Sequence, residues 1–169
     1  MTEETSLIPN SFDDFLNPQV VSDKEEVKEE DSLATKFANE RLEWLRKIKE
    51  MAEHFKNVFK MSELQIMVYT ERQIALEYYH HLLSYLIGIN KSYNKVYAEK
   101  YDFYSYKSQK RFPNETSKNN QILHEMAELL EKKQLIENQS KYMDNTIKSI
   151  DQIIFGIKLK IDGEILSRK

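Results

Sequence analysis

The sequence predicts an all-α protein: three long helices, the last a coiled-coil-like oligomerisation helix, preceded by a disordered acidic tail. Three observations predict it. Only 3 glycines and 3 prolines occur in 169 residues, where average usage would give roughly 12 and 8. Sandwiches and barrels need such residues at their many turns. From Leu33 onward, apolar residues recur at spacings of three and four, the period of a helix face. Charge is also segregated. Residues 1–32 hold ten acids against Lys24 and Lys28, with Pro9 and Pro18, a composition too polar to bury a core. Residues 33–169 carry 23 bases and 18 acids and read as one helical domain.

Several function classes are excluded on the same grounds. With no cysteine there is no disulfide scaffold or thiolate metal site, which suits a reducing cytoplasm. Gly88, Gly156 and Gly163 stand too far apart to build a phosphate-cradling loop. No apolar run reaches the roughly 18 residues of a membrane span, and the N-terminus lacks the pattern of a signal peptide. Neither a nucleophile elbow nor a H-E-x-x-H motif occurs. Glu77 and His80 form one E-x-x-H, but a di-iron bundle needs two, and Gln121 stands where the acid before His124 would be. No catalytic residue, metal or cofactor is expected.

The acidic segment contains Ser11-Phe12-Asp13-Asp14-Phe15-Leu16, in which acids alternate with aromatics. It suits a solubilising tail, a docking motif for a basic protein groove, or a segment that folds back on the basic body. The first helix is read from Leu33, with a stripe of Phe37, Trp44, Leu45, Ile48, Ala52, Phe55 and Phe59. Ser62-Glu63-Leu64-Gln65 fits a capping box, which places a break near Met61 and a second helix from Glu63. Its stripe is Ala75, Tyr79, Leu82, Leu86, Ile89, Tyr93 and Val96, with Gly88 inside it as a possible kink. Arg111 to Asn120, around Pro113-Asn114, reads as a loop.

In the third helix Ile122, Met126, Leu129, Lys133, Ile136, Ser140, Met143, Ile147, Ile150, Ile154, Ile157 and Ile161 follow spacings of four and three without a slip. That is a heptad seam. Unbroken from Ser117 to Leu166, the helix would be about 75 Å long at 1.5 Å per residue. A compact domain of this size covers such a stripe poorly, so self-association is expected through Met143, Ile147, Ile150, Ile154, Phe155, Ile157 and Ile161. The competing reading is a long hairpin within one chain.

The segment from Tyr85 to Phe112 joins Tyr85, Tyr93, Tyr97, Tyr101, Tyr104 and Tyr106 to six cations, against Glu99 and Asp102. Single-stranded nucleic acid asks for cations at its phosphates and flat rings for its bases. The candidate contacts are Lys91, Lys95, Tyr97, Lys100, Tyr101, Tyr104, Lys107, Lys110 and Arg111. A core stripe of tyrosines with solvated lysines explains the same composition.

Here the chain resembles the UvsY-type recombination mediators of tailed phages. Lys100-Tyr101-Asp102-Phe103-Tyr104-Ser105 is similar to that family's basic-x-Asp-aromatic-Tyr-Ser pattern. Ile150 followed by Phe155-Gly156-Ile157-Lys158 is similar to its C-terminal Phe-x-Ile-Lys helix. The likeness covers roughly residues 60 to 165. It implies an all-helical, ring-like homo-oligomer without enzymatic activity that binds single-stranded DNA. Such a protein helps load a RecA-like recombinase onto strands coated by single-strand-binding protein. Lys100 takes the position of a basic contact of the family; Ala98 stands where a second would be, with Lys95 and Lys107 on neighbouring turns. Ile153-Ile154 replaces the family's Arg-Gly. The expectation is therefore a cytoplasmic DNA-binding mediator without a membrane partner, and the alternative is a coiled-coil scaffold that binds only proteins.

Overall fold

The computed structural model describes residues 32–57 and 60–167. Among them are four α-helices and no strands: α1 (Leu33–Phe55), α2 (Met61–Asp102), α3 (Glu115–Glu125) and α4 (Ala127–Ser167). A π-helical turn, Phe103–Lys107, closes α2. The acidic segment, including Phe12 to Leu16, lies outside the described residues, as does Phe59.

Ser32 caps α1, its Oγ accepting from the Thr35 N–H at 3.2 Å. The buried stripe of α1 is Phe37, Trp44 and Met51, a strict seven-residue repeat. The expected Leu45 and Ala52 lie instead on the solvent side, one position off that line. Lys160 secures the other end of α1: its ammonium donates to the Phe55 carbonyl at 2.8 Å, where a cation meets the negative end of the helix. Gly156 packs against Phe55 here: a Cβ at that position would stand 3.2 Å from Phe55 Cζ, and the ring would have to shift by a few tenths of an ångström.

The second helix begins at Met61, not Glu63, and the Ser62 capping box does not form; Lys60 occupies the N-cap without a side-chain bond. Met61, Leu64 and Val68 are all buried, so burial of Met61 draws the first turn upstream of Ser62. Gly88 does not interrupt α2, which runs for 42 residues.

The third expected helix is two. Asn114 caps α3, accepting from the Ser117 N–H at 2.8 Å, so the loop ends six residues before Asn120. At Met126 the backbone departs from helical dihedrals for one residue (φ −103°, ψ 11°). The bond from Leu130 N–H to the Met126 carbonyl at 3.0 Å then opens α4. The bend turns α3 so that Glu125 reaches back to α2.

Cross-helix pairs fix the topology. Lys47 meets Glu71 at 2.7 Å and Tyr78 donates to Glu40, so α1 and α2 are antiparallel. Arg72 meets Asp151 at 2.6 Å, while Lys133 lies 5.2 Å from the Tyr93 ring centre, so α4 also runs antiparallel to α2. The α2–α4 hairpin is the spine; α1 covers one half of it and α3 covers the far end of α2.

This arrangement corrects the expected oligomerisation seam. Met143, Ile147, Ile150 and Ile157 are buried in one core with Trp44, Leu64 and Leu82. The stripe needs no second copy there, because α1 and α2 together flank α4. Ser140, which interrupts the seam, donates to the Ile136 carbonyl at 2.8 Å. Of the expected interface residues, Phe155 remains 61% exposed, Ile161 is exposed and Ile154 is half-buried.

One polar network lies inside the bundle. Glu40 accepts from the Tyr78 hydroxyl and from Gln139 Nε2 at 3.0 Å, and Gln139 Oε1 accepts from Arg41 Nε at 2.8 Å. Tyr142 closes it by donating to the Arg41 carbonyl at 2.9 Å. Burial pushes the Glu40 carboxyl above its ordinary value, against the lowering effect of these two donors.

Candidate nucleic-acid interface

The tyrosine row is real and largely occupied. Tyr93, Tyr97 and Tyr101, four residues apart, stack along α2 with ring centres 6.2 and 6.3 Å apart and planes tilted by 24° and 25°. A cation closes each end: Lys133 of α4 over Tyr93, and Lys118 of α3 at 3.9 Å from the Tyr101 ring centre. Each such contact contributes about 0.5–2 kcal/mol. Tyr97 also donates to Asn119 Oδ1 at 3.1 Å. The column therefore cements α2 to α3 and α4.

Tyr104 is held as well. Its hydroxyl donates to Glu125, and its ring meets Phe112 edge-on at 5.3 Å. For Tyr97, Tyr101 and Tyr104 the expectation of free stacking faces is thus corrected: helical spacing aligned them, and that alignment is used within the chain. Lys100 is similarly engaged, 2.6 Å from Glu125. The Lys100 ammonium, with the Tyr104 hydroxyl and the Gln121 amide, holds the Glu125 carboxyl down to about 2. Lys110 donates to Gln121 Oε1 at 2.9 Å and lies 5.2 Å from the Phe112 ring centre.

What stays outside is a different set. The bond from Ser108 N–H to the Phe103 carbonyl at 2.8 Å closes the π turn, and the chain then leaves in extended conformation. A widened turn of this kind re-aims its side chains. Tyr106 is 83% exposed and Phe103 48% exposed. Lys107 and Arg111 beside them are exposed and form no ion pair among the described residues. Lys91 and Lys95 lie on the side of α2 opposite the tyrosine column, two positions from Tyr93 in each direction. Lys95 approaches Glu99 only at 4.0 Å, both side chains being exposed, a pair of little strength.

The tip of the bundle thus presents one exposed tyrosine, one half-exposed phenylalanine and a set of cations. Chemically it can pair with phosphates and stack on a flat ring. Sequence reasoning counted Tyr106 and Phe103 in the aromatic segment but left them out of the candidate contacts because they fall off the four-residue row; the signal was the Pro113-Asn114 turn, which marks this stretch as the end of α2. Elsewhere Glu77 and His80 are exposed, and no cluster of three metal-ligating side chains occurs among the described residues. No described helix is long and apolar enough to cross a membrane.

The opposite end carries an apolar surface. Tyr69 of α2 and Phe155 and Ile161 of α4 line an open groove of about 310 Å³, and Leu159, Ile165 and Leu166 are exposed beyond it. No protein-family model matches the chain, and no curated protein or solved structure is significantly similar to it.

Proposed function

We propose that this chain is a non-enzymatic recombination mediator: a homo-oligomer that binds single-stranded DNA and helps a RecA-like recombinase displace single-strand-binding protein in the cytoplasm. One observation carries the DNA contact, namely Tyr106 standing almost fully exposed between Phe103 and the unpaired Lys107 and Arg111. Cations hold a phosphate backbone, while the ring stacks on any base. Lys91 and Lys95 extend the positive surface along α2. The mediator role itself is carried by the resemblance at residues 100–105 and 150–158. Several subunits make weak contacts sufficient, because linked sites raise the effective concentration.

A protein-only helical scaffold is the second reading, favoured by the apolar groove beside Phe155. Fluorescence anisotropy of labelled poly-dT, at low and physiological salt, separates the two. The mediator reading expects saturable binding with a log–log salt slope of about −0.7 per neutralised phosphate. Replacing Lys107 and Arg111 with Ala should flatten that slope. A flat titration at both salts would remove the DNA reading and leave the scaffold.

A further inference from the structure

The tip has a second ligand of matching chemistry within the same chain. Thirty-one residues of the sequence precede Ser32, and residues 1–32 hold ten acids against two lysines. Phe12, Phe15 and Leu16 stand among those acids, so the segment offers what a nucleic-acid strand offers: negative charge with flat rings between. Residues 91–125, which build the tip, hold seven bases against four acids. Two of those acids are paired with bases of the same stretch, Glu115 with Lys118 and Glu125 with Lys100, which leaves five bases against Glu99 and Asp102.

Geometry permits the contact. Glu40 of α1 is level with Tyr78 of the antiparallel α2, so Ser32, eight residues earlier, is level with about residue 86 of α2. The π turn begins seventeen residues further on, about 25 Å along the axis at 1.5 Å per residue. Sixteen residues separate Leu16 from Ser32, an extended reach of about 50 Å. The apolar groove at the other end is equally within reach, but with Asp151 paired to Arg72 its rim is left with Asp162 against Lys158, which offers an acidic strand no net attraction. Charge therefore favours the tip.

We infer that the acidic-aromatic segment of residues 11–31 docks on the tip formed by Phe103, Tyr106, Lys107, Lys110 and Arg111 and competes there with anionic ligands. The inference rests on reading the tip as an anion-binding surface, and it makes occupancy of that surface self-limiting. A strand long enough to engage several subunits displaces the segment; a short one does not.

Zero-length carbodiimide cross-linking of the full chain tests the contact without DNA. Peptide mapping should find carboxylates of residues 13–31 joined to Lys107 and Lys110, within one chain when light and heavy isotope-labelled protein are mixed. Excess poly-dT should suppress those links. Links confined to Lys158 and Lys160 would place the segment in the apolar groove and overturn the inference, as would links spread evenly over the surface.

A second arm uses the full chain with Asp13, Asp14, Glu25, Glu26, Glu29 and Glu30 changed to Asn or Gln. If the segment occupies the tip nine-tenths of the time, poly-dT binding at low salt should tighten about tenfold. Unchanged affinity in a variant that binds DNA overturns the inference and leaves the proposed function standing. If neither protein binds poly-dT, the proposed function fails, and the cross-links alone decide whether the segment docks.

Discussion

Glu125 receives the Lys100 ammonium at 2.6 Å, and so neutralises the cation that the family resemblance assigns to DNA. The pair has a structural purpose: with Tyr104 and Gln121 it ties the end of α3 to the last turn of α2. Lys107 and Arg111, which form no ion pair among the described residues, lie beyond the helix proper.

Changing Glu125 to Gln should release Lys100 and steepen the salt slope of poly-dT binding by about 0.7, the share of one phosphate. The same variant should alter acid stability. The folded Glu125 carboxyl is held down to about 2, below its ordinary 4.5. Its stabilising contribution is therefore complete above 4.5 and lost as pH falls towards 2. Thermal melts between pH 7 and pH 2 should show that loss in the parent and not in E125Q.

Tyr106→Ala should weaken poly-dT binding by about 1–3 kcal/mol for the base it stacks on, with the helix content unchanged. Tyr97→Ala should do the opposite, lowering the melting temperature by removing the middle ring of the column. Equal binding losses from both, with no change in stability, would return the tyrosine column to the DNA surface.

At Glu40 the pH dependence has the reverse sign. Burial raises its folded pKa, so the folded chain binds the proton more tightly and stability falls as pH rises through 4.5 and beyond. Glu40→Gln keeps an acceptor oxygen and carries no charge, and should be at least as stable as the parent at pH 7. Glu40→Ala strands the Tyr78 hydroxyl and the Gln139 amide and should cost about 1–3 kcal/mol. Urea titrations at pH 4.5 and 7.5 check both.

Ile150 and Phe155 separate core from surface on one helix. Ile150→Ala should cost about 2–5 kcal/mol of folding stability, because the site is fully enclosed. Phe155→Ser should change urea stability by no more than about 0.5 kcal/mol and should lower the sedimenting mass if the exposed end of α4 joins subunits. An unchanged mass would remove Phe155 from any interface.

Much of the helix layout was legible in the sequence. The stripe of α2 predicted Ala75, Leu82 and Ile89 as buried, and all are, with Tyr79, Leu86, Tyr93 and Val96 half-buried; Met143 and Ile150 were expected at a subunit interface and lie in the core of the chain. The heptad seam did not reveal its partner, because periodicity records that a face is covered and not by which molecule. The capping box at Ser62 was misleading because burial of Met61 outweighs one side-chain cap. The tyrosine spacing was read correctly as a shared face, yet a shared face at helical period is what packing against α3 and α4 requires. The free residues, Tyr106 and Lys107, sit where the helix widens and period loses its meaning.

Sequence separation along the chain sets an order of assembly. The Lys100–Glu125 contact closes a loop of 25 residues, whereas Arg41 reaches Gln139 across 98 and Lys160 reaches Phe55 across 105. Longer closures are entropically dearer and arrive later in folding. Among the described helices, α1 can therefore meet α2 early, through the 24-residue closure of Lys47 on Glu71, but its full binding face exists only once α4 has joined α2. Until then Phe37, Trp44 and Met51 stay partly uncovered on the nascent chain, which makes α1 the natural landing place for a chaperone and the element whose premature encounter with another chain would lead to aggregation.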